Sequence, residues 1–137
     1  MKILVVDGQG GRIGAALIEG LLAAQPDASL IAVGTNVAAT QAMRKAGAAA
    51  GATGENAVCV NAARADVIAG PIGIIAADAL LGEITPRMAE AISGSDAKKV
   101  LVPVTSCSIV VAGTEALPLA RYIDDAVRLI LSPDARA

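Results

Sequence analysis

Histidine, tryptophan and phenylalanine are missing from this 137-residue chain, and Tyr122 is its one aromatic side chain. Without histidine there is no Ser-His-Asp or Cys-His nucleophile pair, no imidazole-ligated metal and no imidazole acid or base working near neutral pH. Without aromatics there are no stacking platforms for single-stranded nucleic acid. Charge of one sign is also scarce: the formal net charge is −2, with 11 basic against 13 acidic side chains. A nucleic-acid or anionic-membrane surface would show a basic excess, so neither partner is expected. The two cysteines, Cys59 and Cys107, follow no metal spacing and are too few for a disulfide framework. They read as buried thiols of a cytoplasmic protein. No apolar run is long enough to span a bilayer, and the turn residues that begin at Asp7 come too early for a signal peptide.

What is present is aliphatic, with 55% hydrophobic residues and 14 glycines. Ile3-Leu4-Val5-Val6, closed by Asp7-Gly8, reads as a strand buried on both faces. Ile13, Leu17, Ile18, Leu21 and Leu22 follow at helical spacing up to Pro26-Asp27. Leu30 to Val33, closed by Gly34, completes a right-handed βαβ unit. A helix is predicted over 36–46, capped by Thr35 or Asn36 and stopped by Gly47. The small residues 47–54 read as a loop, Ala57 to Asn61 and Asp66 to Ala69 as strands, Ile74 to Leu81 as a helix, and Thr85-Pro86 as a capped helix start. Lys99 to Val104 and Ser108 to Ala112 read as strands joined by only Thr105-Ser106-Cys107, which is too short for a parallel crossover and predicts an antiparallel edge hairpin. A final helix over 117–131 buries Leu119, Ile123, Val127 and Ile130. The expected fold is α/β: a single doubly wound, mostly parallel Rossmann-like sheet with helices on both faces. It occupies residues 1–131, and 132–137 form a tail.

Gly8-Gln9-Gly10-Gly11-Arg12-Ile13-Gly14, between a strand and a helix, carries the main functional signal. It fits GxxGxxG through Gly8, Gly11 and Gly14. Such a loop provides a tight turn, close backbone approach to a phosphate and a small residue where helix meets strand, while the helix N-terminus offers unpaired amides. GQGGRIG resembles the GAGGRMG loop of dihydrodipicolinate reductases, which implies a nicotinamide dinucleotide there, and its spacing resembles that of NADP-using Rossmann proteins. The acid that accepts from the ribose in NAD sites is missing after the second strand, where Gly34-Thr35-Asn36 stand instead. Thr35 and Asn36 either bond a ribose or its 2′-phosphate, with Arg12 or Arg44 as the neutralising cation, or cap the next helix.

Further polar corners belong to the same edge of the sheet. Gly70-Pro71-Ile72-Gly73 and Pro103-Val104-Thr105 follow strands, and Thr53-Gly54-Glu55-Asn56 reaches the edge only if its loop folds over as a lid. Gly34-Thr35-Asn36 and Gly70-Pro71-Ile72-Gly73 also resemble the phosphate corners of methylglyoxal-synthase-like domains, whose histidine has no counterpart here. Among the acids, Asp7 is expected to accept backbone amides of the glycine turn. Asp78 and Glu83 are the candidate catalytic carboxylates; Asp78 is either partly buried, where it could serve as an acid or base, or on the solvent face of its helix. A Tyr-x-x-x-Lys dehydrogenase pair is excluded, because Ala126 stands four residues after Tyr122.

The whole chain resembles a small bacterial family of Rossmann-like proteins known only as a domain of unknown function. The shared strings are the ILVxDGQGGxIG opening, AVGTNxxAT at Ala32 to Thr40, GATGENAV at Gly51 to Val58, GPIGI at Gly70 to Ile74, LLGEITPxMA at Leu80 to Ala89 and KKxLxPV at Lys98 to Val104. The expected function is binding of a nucleotide or dinucleotide, NADP-like, at residues 8–14 with help from Gly34, Thr35, Asn36, Gly70, Pro71 and Ile72. The protein would be a sensor or binding protein, or an oxidoreductase whose pocket a second subunit completes, and a homo-oligomer is expected. The alternatives are a small phosphate-ester lyase or isomerase using Asp78 or Glu83, and a structural protein in which every glycine corner serves packing.

Overall fold

A computed structural model describes residues 1–104 and 108–133. Its elements run β1 (Lys2–Asp7), α1 (Arg12–Ala24), β2 (Ser29–Gly34), α2 (Val37–Lys45), β3 (Ala50–Thr53), α3 (Glu55–Ala62), β4 (Val67–Pro71), a single 3-10 turn (Ile72–Ile75), α4 (Pro86–Ser93), β5 (Lys98–Val102) and α5 (Leu119–Leu131). The five strands form one sheet in the order β3-β2-β1-β4-β5, and every pairing is parallel. This is the Rossmann order without its sixth strand, and the switch point lies between β1 and β4.

The continuous aliphatic runs of β1, β2 and β4 are buried on both faces, as parallel strands under two helical layers must be. Ile3, Val5 and Leu30 pack with Leu17, Ile18, Leu21, Met43, Ile123 and Ile130, which places α1, α2 and α5 on one face. Leu4, Val6 and Ile68 pack with Val58, Ile74, Ile84, Met88 and Ile92, which places α3, α4 and the turn before it on the other. Helix starts follow the expected chemistry: Asn36 caps α2 by accepting from the Ala39 amide at 2.9 Å, and Thr85 caps α4 by accepting from Met88 at 3.1 Å, with Pro86 in the first turn.

Four expectations are corrected. Residues 50–53 are an edge strand, not loop: the backbone pairs with β2, and Gly51 leaves the space that the Arg44 side chain fills. The lid built on Thr53 to Asn56 goes with that loop, since Thr53 is fixed at the end of β3 and bonds Thr40, hydroxyl to hydroxyl, at 2.7 Å. Residues 55–62 are helical, because burying Val58 and Ala62 four apart on one face outweighs the strand preference of Val58-Cys59-Val60; Cys59 is half-buried, not buried. Ile74 to Leu81 is a turn, not a helix. Asp78, Leu80 and Leu81 have φ of 65, 56 and 57°, a left-handed conformation that costs a non-glycine residue about 1–2 kcal/mol. Burial of Leu80 and Ile84 and the 2.7 Å bond from the Asp78 amide to the Ile84 carbonyl hold it.

The fourth correction concerns the edge hairpin. Its connection, residues 105–107, lies outside the described residues, and 108–112 form no strand. Among the described residues no helix covers that aliphatic run: Val110 is 87% exposed. Among the described residues no helix is long and apolar enough to cross a membrane.

Candidate functional site

The turn from β1 into α1 is built around Asp7. Its carboxylate accepts the amides of Gly8 and Gly14, each at 2.7 Å, and is 4% exposed. The anion at the α1 N-terminus is thus the chain's own side chain. Burial pushes the Asp7 carboxyl above its ordinary range, against the pull of the Gly14, Gly8 and Ile13 amides, and the Glu83 charge adds to the rise. Gly11 has φ 70°, and a Cβ there would lie 2.8 Å from the Ala39 backbone. Gly14 leaves room for Met43. The glycines therefore serve the turn and its packing, whatever else they do.

Beyond Asp7 the loop opens to an irregular cleft of about 470 Å³. Its floor is Gly8 to Ile13; Pro71 comes from the end of β4, Pro103 and Val104 follow β5, Leu80 forms one wall, and Ala116, Leu117, Leu119 and Tyr122 form the other. This is the carboxyl edge of the sheet at the switch point, where open α/β sheets bind ligands. Gly10 has nothing within 4 Å of where a Cβ would stand, and the amides of Gly10 and Arg12 find no acceptor among the described residues. Arg12 is exposed on the rim and makes no ion pair among them.

The β2 corner is organised differently. Thr35 and Asn36 face Glu83, not the cleft. Glu83 Oε1 accepts from the Thr35 hydroxyl at 2.7 Å and from Asn36 Nδ2 at 2.6 Å, and the Gln9 amide donates to both carboxylate oxygens at 3.1 Å. Asn36 caps α2 through Oδ1, as one of its two readings had it, and its Nδ2 bonds Glu83 and the Gln9 carbonyl. Partial burial pushes the Glu83 carboxyl up, but the hydrogen bonds from Thr35, Asn36 and Gln9 outweigh it and hold the group below its ordinary range.

The remaining candidates disperse. Gly70 and Gly34 are buried at strand ends, where added Cβ atoms would meet the Val6 carbonyl at 2.2 Å and Thr40 at 2.4 Å; Pro71 lines the cleft and Ile72 does not. Asp78 is exposed in the turn, which is the solvent-facing one of its two expected placements. Arg44 bonds the Ala49 carbonyl, and Glu55 pairs with Arg87 at 3.6 Å. Thr105 and Cys107 lie outside the described residues. Among the described residues no cluster of three acidic, cysteine or histidine side chains is placed to hold a metal. Sequence reasoning missed Tyr122 as a cleft residue; its place one turn after Leu119 on the inward stripe of α5 was the available signal.

The family model for the domain of unknown function DUF3842 matches residues 2–134. The chain belongs to that family. Among curated proteins none is significantly similar to this DUF3842 member in sequence. Among solved structures it is similar to a dodecameric FMN-dependent UbiX-like decarboxylase from Escherichia coli O157:H7, at 21% identity and TM-score 0.50 over 93% of this chain and 75% of that one. A second similar structure, AibC, gives 21% identity and TM-score 0.47 over 93% of this chain and 38% of its own. At such identities the likeness is one of fold.

Proposed function

We propose that this DUF3842 protein binds a nucleotide or a comparable phosphorylated small molecule at the glycine loop, with the phosphate on the Gly10 and Arg12 amides and the Arg12 guanidinium. The carrying observation is the cleft at the switch point, floored by a turn in which the Gly10 and Arg12 amides find no acceptor among the described residues. Tyr122 supplies the only aromatic face in the chain to the cleft wall. A mononucleotide fits this arrangement better than the NADP-like dinucleotide that the loop's resemblance implies. Leu80 stands over Gly8, and Glu83 already takes the Gln9, Thr35 and Asn36 donors, so a dinucleotide crossing the loop toward β2 would meet both. The FMN-dependence of the decarboxylase that shares the fold is in keeping with a mononucleotide. Among the described residues the one carboxylate lining the cleft is Asp7, which the turn occupies, so the reading is of a cytoplasmic binding protein, or of a subunit whose chemistry a homo-oligomer completes.

Calorimetric titration of the purified protein with FMN, AMP, NAD and NADP tests this. A mononucleotide is expected to bind and NADP to bind at least about tenfold more weakly. Arg12→Ala is expected to weaken mononucleotide binding by about tenfold or more, the usual worth of a charge-assisted phosphate contact. If none of the four binds, or if Arg12→Ala leaves binding unchanged, the site is elsewhere.

A further inference from the structure

The Glu83 carboxylate is built into the β2 corner as a fixed acceptor. It is anchored from three directions by Thr35, Asn36 and the Gln9 amide. Its own backbone lies between Leu80 and Ile84, 6% and 0% exposed, in a segment that holds three non-glycine residues in the left-handed region. Strain of that kind persists only where surrounding structure overdetermines it, so this segment positions what it carries. Oε1 is saturated by side-chain donors, whereas Oε2 accepts only the Gln9 amide and keeps room for another donor. Oε2 meets the loop backbone at the Gln9 amide, 3.1 Å away, and Gln9 immediately precedes Gly10, so the carboxylate borders the cleft floor beside the open Gly10 amide.

We propose that Glu83 accepts the hydroxyls of a ligand whose phosphate sits at Gly10 and Arg12, and that the site therefore selects a phosphorylated pentose or polyol. This rests on the reading of the glycine loop given above and adds the part of the ligand next to the phosphate. An ionised carboxylate attracts hydroxyl donors and repels a second anion. A sugar carrying a free hydroxyl pair is accepted here, and the same sugar phosphorylated at that pair is refused. Asp or Glu in this role normally follows the second strand; in this chain the acid arrives from the turn before α4, and the residues after β2 anchor it.

The test compares ribose 5-phosphate with 2-deoxyribose 5-phosphate, and AMP with 2′-deoxy-AMP and adenosine 2′,5′-bisphosphate, by titration calorimetry on wild type, Glu83→Gln and Thr35→Val. Glutamine keeps an acceptor for Thr35 and Asn36 but loses the charge and puts an amide where the second oxygen was, and circular dichroism melts confirm that each variant folds. Wild type is expected to prefer the ribo over the deoxy probe by about tenfold or more, and to disfavour the bisphosphate. Glu83→Gln reduces the preference to about twofold, and Thr35→Val reduces it in part. Equal binding of ribo and deoxy probes by wild type overturns the proposal. So does tighter binding of all phosphates by Glu83→Gln, which would make Glu83 the occupant of a phosphate seat. Binding that Arg12→Ala abolishes and Glu83→Gln does not alter overturns only the role of Glu83; no binding of any probe overturns this proposal together with the reading it rests on.

Discussion

Replacing Gly70 with alanine is expected to cost about 3 kcal/mol or more, toward the upper end of what overpacking a core produces, and to leave little of the roughly 5–15 kcal/mol that a domain has. The added methyl carbon would stand 2.2 Å from the carbonyl oxygen of Val6 and 3.3 Å from its carbon. Both atoms are backbone. They lie immediately beyond the Val5–Ala69 pair of the central β1–β4 ladder, so relief requires prying apart the two strands that define the switch point. No side chain can rotate away, as the Met43 thioether can for a change at Gly14. Urea denaturation followed by circular dichroism measures the loss, with Gly10→Ala as the control. Gly10 has open space around it, so that variant is expected within about 0.5 kcal/mol of wild type. A Gly70→Ala protein as stable as the control would show that the strands give way more easily than a parallel ladder should.

The second large effect is expected at Asp7. Asp7→Ala leaves the Gly8 and Gly14 amides without the acceptor they meet at 2.7 Å, in a place where the side chain is 4% exposed. Each orphaned buried donor costs about 1–3 kcal/mol, so a loss of about 2–5 kcal/mol is expected, together with ligand binding, because the loop geometry rests on the same two bonds. The pH dependence has a definite sign. The folded carboxyl is held above its ordinary value of 3.8, so the native state binds the proton more tightly than the unfolded chain does. The contribution of this group to stability therefore falls as pH rises from the ordinary carboxylate range through the raised folded value. Glu83 runs the other way: its carboxyl is held below its ordinary value, and its contribution falls as pH drops through that lowered value. Asp7→Asn should remove the first slope and leave the second, which pH-dependent denaturation curves would show; an unchanged acid limb on the wild-type pattern would remove Asp7 as its source.

The first four elements were legible in the sequence because local chemistry and global packing agree there. The Ile3 to Val6 run, the glycines at 8, 11 and 14, and the Asn36 cap each demand one conformation for a reason that lies within a few residues. Elsewhere a distant partner decides. Ala50 to Thr53 has no apolar pattern and is a strand only because the β2 edge supplies its hydrogen bonds. Val58-Cys59-Val60 prefers a strand locally, but the burial of Val58 and Ala62 on one face makes a helix. The candidate site divides in the same way. Asp7 and the glycine loop could be read from neighbours in sequence. Glu83 could be named only as a weak catalytic acid, because its defining contact is with the Gln9 amide 74 positions away.

That span has a kinetic meaning. The first βαβ unit can form its own hydrogen bonds early, since Thr35 donates its amide to the Asp7 carbonyl within the unit at 3.0 Å. The Gln9 amide cannot be protected until β4 has paired beside β1 and the turn before α4 has docked, a closure of many tens of residues that is entropically slower than any local step. In hydrogen-exchange labelling during refolding, the β1 amides should become protected first and Gln9 in a later phase. The loop is shaped in the first half of folding and becomes a recognition surface only in the second.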